Sequence, residues 1–146
     1  MSQETTSIEF VCTQETFKPV AHDMVRWLNQ DKDLHLVQAI FEKGQEPPSR
    51  EEWDDWHQQG YQYCAIVKDG SIVSIAAVWK YSESAWETAA VWTKEEFRCQ
   101  GYAKAVCSFV TSYILNCGRK ATCSTRKTNT PMISVAERLG FHRTEI

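Results

Sequence analysis

Between Arg98 and Ala103 the chain reads Arg-Cys-Gln-Gly-Tyr-Ala, a run that could hold an anion. It fits the pattern R/Q-x-x-G-x-G/A. Gly101 would let the backbone come close to a pyrophosphate, and Ala103 would keep a helix entrance narrow. The N–H groups of roughly residues 99–104 would face the same space, at the positive end of a helix dipole. Alone, the run is a generic anion site. The dinucleotide fingerprint is not met, because no G-x-G turn precedes it and no acidic residue stands in the expected place downstream.

Other reactive side chains are less informative. The six cysteines, at 12, 64, 99, 107, 117 and 123, contain no C-x-x-C pair. Several fall inside apolar patterns where a thiol behaves as a small hydrophobe, which argues against a disulfide framework and a zinc site. Cys64 and Cys123 could act as nucleophiles only beside a histidine, and His22, His35, His57 and His142 are scattered through unrelated elements. Trp53 and Trp56 read as core rather than a substrate cage. Glu51, Glu52, Asp54 and Asp55 read as a solvated helix face that would also attract a cation. The basic cluster Arg119-Lys120 and Arg126-Lys127 lacks interleaved aromatics, which excludes base stacking on nucleic acid.

The anion-binding run needs a strand before it and a helix after it. Trp86–Thr93 is rich in β-branched and aromatic residues and predicts a strand. Ala103, Val106, Cys107, Val110, Ile114 and Cys117 recur at helical spacing, with a stop at Gly118. Upstream, Ser7–Cys12 predicts a first strand. Phe17, Val20, Met24 and Trp27 or Leu28 predict a helical stripe, and Leu36, Val37, Ile40 and Phe41 a second helix capped by Asp31 or Asp33. Ser49-Arg50-Glu51-Glu52 matches a capping box for a third, with Gly60 its stop. Tyr61–Val67 and Ile72–Lys80, joined through Asp69-Gly70, predict a β-hairpin. Ala121–Thr125 predicts another strand. A last helix starts at Asn129-Thr130-Pro131 and stops at Gly140, and Phe141 begins a final strand. Alternation of strands and helices after residue 86 predicts an α/β mixed sheet with helices on both faces.

Length and charge bound the function. At 146 residues the chain is one domain by the usual prior, large enough to bury a core. No apolar run reaches the roughly 20 residues that cross a bilayer, and Met1–Thr6 has neither the basic nor the apolar region of a secretory leader. A cytoplasmic location is expected. Net charge is −3, unevenly spread: residues 1–90 hold seven Lys/Arg against fifteen Asp/Glu, and residues 91–146 nine against four. A basic C-terminal part suits an anionic cofactor and an acidic N-terminal part a cationic substrate.

The strand Thr88–Thr93, the Arg98–Ala103 run after it, and Asn129-x-x-Met132-x-x-x-Ala136-Glu137-Arg138-Leu139-Gly140-Phe141 together resemble the GNAT superfamily of acyl-CoA-dependent N-acetyltransferases. By motif the resemblance covers about residue 60 to 146. It implies a GNAT-like fold in one N-acetyltransferase domain over 1–146. Residues 1–60 would be a helical substrate-side region, and 61–146 the hairpin with the acetyl-CoA-binding core. It implies acetyl transfer from acetyl-CoA to a primary amine by direct attack in a ternary complex. Keeping the fold without catalysis, as a CoA-binding regulatory or interaction module, is the alternative. No metal, membrane or nucleic-acid partner is implied.

Residue by residue, the resemblance implies that the Val91-Trp92-Thr93 backbone pairs with the pantetheine amides. Arg98, Cys99, Gln100, Gly101, Tyr102, Ala103 and Lys104 would hold the pyrophosphate through N–H groups. Asn129 matches an asparagine that contacts the cofactor near its reactive end. The family's splay between its fourth and fifth strands would admit the thioester between Trp92 and the Cys123 strand, and Arg119–Lys127 would lie near the adenosine 3′-phosphate. Glu87 becomes the candidate base, since an alkyl ammonium must lose a proton before it attacks. The backbone N–H of Trp92 or Thr93 becomes the candidate oxyanion donor. Many relatives carry a tyrosine in the last helix to protonate the leaving thiolate; here that position is Ala136, so no general acid is assigned. The customary seventh strand finds no room after Phe141. Either the sheet is short or a partner chain completes its edge, as in a homodimer.

Overall fold

The computed structural model describes residues 7–144, so the polar N-terminus read above for leader features lies outside the described residues. Strands β1 (Ser7–Cys12), β2 (Arg26–Trp27), β3 (Tyr61–Lys68), β4 (Ser71–Trp79), β5 (Ala85–Thr93), β6 (Lys120–Arg126) and β7 (His142–Arg143) form one sheet. Its order is β2-β3-β4-β5-β6-β1-β7. Only β5 and β6 run parallel; every other pair is antiparallel. The crossover between the parallel strands is made by helix α3 (Tyr102–Asn116), as parallel pairing requires. The mixed sheet with helices on both faces is the architecture the alternation of elements predicts.

Two apolar clusters fill the two faces. One packs α3, with Val106, Val110 and Ile114 fully buried, and helix α4 (Thr130–Arg138) against β1, β4 and β6. Each such side chain contributes about 1.5–3 kcal/mol by leaving water. The other packs helices α1 (Leu34–Gln38) and α2 (Arg50–Gln58) on β3 and β4 around Trp53, which is 0 % exposed. The α2 capping box is complete: Glu52 N–H donates to Ser49 Oγ at 3.1 Å, and Ser49 N–H donates to Glu52 Oε1 at 3.0 Å.

Three expectations are corrected. Residues 15–28 form no helix. Pro19 has no N–H, and the segment spends its backbone groups on other elements: Lys18 N–H donates to the Leu139 carbonyl at 2.8 Å, and Val20 exchanges bonds with Ser108 Oγ of α3. Met24, taken for the buried stripe, is 53 % exposed, and Trp27 lies in β2. The second helix is only five residues long and has no side-chain cap. The Asp33 carboxylate instead accepts from Arg26 Nη1 at 3.0 Å and Asn29 N–H at 2.7 Å.

The third correction concerns the sheet edge. A seventh strand does form after Phe141, where no room was expected for one, but it does not lie against β6: β1 occupies that place antiparallel, from Ser7 facing Arg126 to Cys12 facing Ala121. β7 then pairs with the outer side of β1.

Candidate active site

β5 is the strand on which the candidate residues converge. Its ladder with β4 runs on to Thr93, whereas its ladder with β6 stops at Glu87 facing Thr122. Beyond that pair, β5 from Thr88 to Thr93 has no strand partner on its β6 side. Peptide groups there are left for another extended chain, as β-strand addition uses them. The register against β4 also shifts between Ile75 and Ala77, and Ala90 adopts a left-handed φ of 55°. This bulge re-aims the residues that follow it. Val91 then packs with the α3 cluster and Trp92 with the α1–α2 cluster.

The Trp92 and Thr93 carbonyls are already engaged. Ser74 Oγ donates to the Trp92 oxygen at 3.3 Å, and Arg98 Nε donates to the Thr93 oxygen at 3.0 Å. Arg98 thus turns its guanidinium back onto the strand end and fixes the loop that follows. Gln100 likewise donates to the Glu96 carbonyl at 3.1 Å. Both side chains are exposed but tied to backbone carbonyls of the same turn, which leaves backbone N–H groups of the loop to face a ligand.

Gly101 is the N-cap of α3, at φ 87°, and no atom lies within 4 Å of where its Cβ would stand. No side chain caps the first turn, and the turn holds no acidic residue. The N–H groups at this helix start and its dipole therefore face open space uncompensated, which suits an anion. Lys68 Nζ stands 4.9 Å from the Tyr102 ring, adding a cation at the same end. Asn129 caps α4, its Oδ1 accepting from Met132 N–H at 3.2 Å, so only its amide N–H groups remain to be offered. The basic cluster is divided. Because β6 runs parallel to β5 from Lys120 beside Ala85, Arg126 lies at the Thr93 end, while Arg119 lies at the far end. There the Arg119 guanidinium sits 4.1 Å from the Trp86 ring. Arg119 and Lys120 cannot share a phosphate with the α3 entrance about 20 Å away along β6.

At the apex of the splay a cavity of about 240 Å³ is lined by Glu9, Phe10, Tyr81, Glu87, Thr122, Cys123 and Ser124. Burial pushes the Glu87 carboxyl above the ordinary range, and the neighbouring Glu9 adds like-charge repulsion; the Ser124 hydroxyl opposes both as a donor. Burial also pushes the Cys123 thiol up to about 12, with Glu87 adding to it. Cys123 is therefore a thiol at neutral pH, and no histidine lines the cavity. His22 bonds Ser108 Oγ at 3.0 Å and His57 the Trp53 carbonyl at 2.8 Å, both structural partners. Tyr81 Oη lies 3.1 Å from Thr122 Oγ1. Ala136 is buried in the α3 cluster. Among the described residues no three His, Cys, Asp or Glu side chains are grouped to hold a metal, and no helix is long and apolar enough to cross a membrane.

Of the cavity residues the sequence singles out Glu87 and Cys123; Glu9, Phe10, Tyr81, Thr122 and Ser124 carry no motif. Glu9 is 78 positions from Glu87 in the chain, and only the pairing of β1 with β6 brings the two together.

Comparison with known proteins bears on the family and the fold. Residues 21–141 match the model of the family described as Acetyltransferase (GNAT). No curated protein matches the chain. Among solved structures, a GNAT-family acetyltransferase from Novosphingobium aromaticivorans superposes with a TM-score of 0.75 at 18 % identity, over 95 % of this chain and 60 % of that one. One from Colwellia psychrerythraea gives 0.72 at 14 %, over 97 % and 53 %. The chain therefore spans little more than half the length of these two. AAC(6')-Iy, solved in complex with the bisubstrate analogue CoA-S-monomethyl-acetylneamine, gives 0.64 at 18 %, over 84 % and 92 %. At these identities the likeness establishes the fold.

Proposed function

The chain belongs to the GNAT acetyltransferase family, and from that premise we propose that it transfers the acetyl group of acetyl-CoA to a primary amine by direct attack. The observation that carries the reading is the end of the β5–β6 ladder at Glu87 and Thr122. It leaves a slot for an extended thiol arm on the side of the Gly101 helix entrance and a carboxylate at its closed end. In this reading the N–H groups of Arg98–Lys104 hold the pyrophosphate, with Gly101 admitting it closely. The edge of Val91, Trp92 and Thr93 that β6 leaves without a strand partner lies along the pantetheine amides, offering the groups that Ser74 and Arg98 do not already engage, and the amide of Asn129 reaches the arm near its reactive end. That AAC(6')-Iy was solved with a CoA-linked analogue supports CoA as the donor.

The acceptor enters the Glu87 cavity as an ammonium. Glu87 removes one proton, which its raised pKa favours, and the freed lone pair attacks the thioester carbonyl. The Trp92 or Thr93 N–H donates to the oxygen as it becomes negative. The new C–N bond forms, the C–S bond breaks, and the thiolate leaves with the electron pair. It takes up the second proton of the attacking nitrogen through water. A thiolate of pKa near 8.5 leaves without an acid, which fits the buried Ala136 where many relatives carry a tyrosine. Cys123, protonated and without a histidine, supports direct attack over an acyl-enzyme.

Calorimetry with acetyl-CoA followed by thiol release against an amine panel tests the reading. Binding with turnover is expected. Binding without turnover would make the chain a CoA-binding module of the same fold, and no binding would remove both.

A further inference from the structure

Glu9 stands opposite Ser124 on β1, and Glu87 opposite Thr122 on β5. Thr122 and Ser124 are two apart on one strand, so all four side chains stand on a single face of the sheet. They line one cavity, and its lining includes no lysine, arginine or histidine. Among the described residues neither Glu9 nor Glu87 is in an ion pair. The face continues as aromatic surface: Glu87 faces Trp79 on β4, and Trp79 faces Tyr61 on β3. The Tyr61 and Trp79 rings are parallel to within 3° at 5.4 Å, and Tyr81 follows Trp79 at 5.1 Å and is 42 % exposed. The cavity thus sets two carboxylates without an ion-pair partner beside the Tyr81 ring, and the Trp79 and Tyr61 rings continue from Tyr81 outside it on the same face.

We propose that Glu9, supplied by the N-terminal strand, is a specificity-determining residue that restricts the acceptor to amines on an apolar skeleton with no carboxylate beside the ammonium. The inference rests on the cavity being the acceptor site of the transfer proposed above. Once Glu87 has taken a proton, Glu9 remains the negative charge in the pocket. It attracts the next ammonium and repels a carboxylate on the same carbon. The exposed Tyr81 ring, with the half-buried Trp79 ring beside it, offers an apolar and cation-attracting surface to the rest of the molecule.

The test compares phenethylamine with phenylalanine, which differ by that carboxylate alone. Wild-type kcat/KM is expected to favour phenethylamine at least 100-fold. Glu9→Gln should lower kcat/KM for phenethylamine at least tenfold, chiefly through KM, and narrow the ratio; Glu9→Asp should restore most of it. Acetyl-CoA affinity should stay within twofold throughout, which reports an intact fold. A Glu9→Gln ratio within twofold of wild type, or a wild-type preference for phenylalanine, would overturn the proposal. Calorimetric binding of phenethylamine to the CoA-loaded chain separates the two readings. Glu9-dependent binding without turnover contradicts acetyl transfer and leaves the Glu9 pocket standing, whereas no binding contradicts the pocket itself.

Discussion

Glu87 and Thr122 are the last facing pair between β5 and β6, and from that pair upward the two strands have no ladder between them. A parallel pair that stops after three residues, inside a nine-residue strand, leaves a wedge in the middle of the sheet. The carboxylate at its apex is half-buried, and the helix entrance at its mouth is uncapped. One end therefore suits proton removal and the other suits anion binding.

The pH dependence follows from the direction of the Glu87 shift. In the proposed mechanism Glu87 acts as the carboxylate, and its raised pKa places the expected acid limb of kcat/KM above the ordinary glutamate value near 4.5. The groups facing it are Glu9, Tyr81, Thr122, Cys123 and Ser124. Of these Glu9 is the neighbouring charge, so Glu9→Gln should move the limb to lower pH. A limb that stays put in Glu9→Gln would show that burial alone sets it.

The same shift has a cost in stability. The folded protein holds the Glu87 proton more tightly than the unfolded chain does. Stability is therefore lost as pH rises from the unfolded value through the folded one, and stays lost above it. Glu87→Gln should raise Tm at pH 7, with the gain vanishing below about pH 4. Equal Tm gains at pH 7 and pH 3.5 would contradict a raised pKa.

At Gly101 the expected damage is to binding rather than to folding. Its φ is left-handed but nothing lies near the Cβ position. Gly101→Ala should therefore cost only about 1–2 kcal/mol of strain, read by denaturant unfolding. The added methyl would occupy the space assigned to the pyrophosphate, so calorimetry should show acetyl-CoA affinity falling at least tenfold. Unchanged affinity would move the phosphate elsewhere.

Gly140 is the contrasting glycine. A Cβ there would overlap the Thr16 carbonyl oxygen, and its φ is 96°. This is the physical content of the Leu139-Gly140-Phe141 run: α4 must end where the N-terminal segment crosses it, with Lys18 N–H bonded to the Leu139 carbonyl. Gly140→Ala should destabilise by more than about 2 kcal/mol, since backbone rather than a flexible side chain must move. A loss under about 0.5 kcal/mol would mean that the crossing is loose.

Much of this was legible in the chain. The hairpin through Asp69-Gly70, the Ser49 capping box and the strand–glycine–helix junction at Gly101 are local patterns, each decided within about ten residues. What escaped was non-local. The apolar spacing of Phe17, Val20 and Met24 imitated a helix, yet the backbone of that segment bonds to residues about 90 to 120 positions away. The place of β1 between β6 and β7 depends on a partner strand over 100 residues distant, so nothing local to Glu9 marks it as a site residue. Arg98 matched a phosphate-binding pattern, but its side chain turned out to staple the Thr93 carbonyl.

The most direct test of the account is the rate of Glu87→Gln at saturating acetyl-CoA and amine. Loss of the proton acceptor predicts a fall in kcat of about 10²–10⁴-fold, with acetyl-CoA affinity unchanged. A rate within a few-fold of wild type would remove Glu87 from the mechanism and with it the assignment of the cavity as the place where the amine is activated.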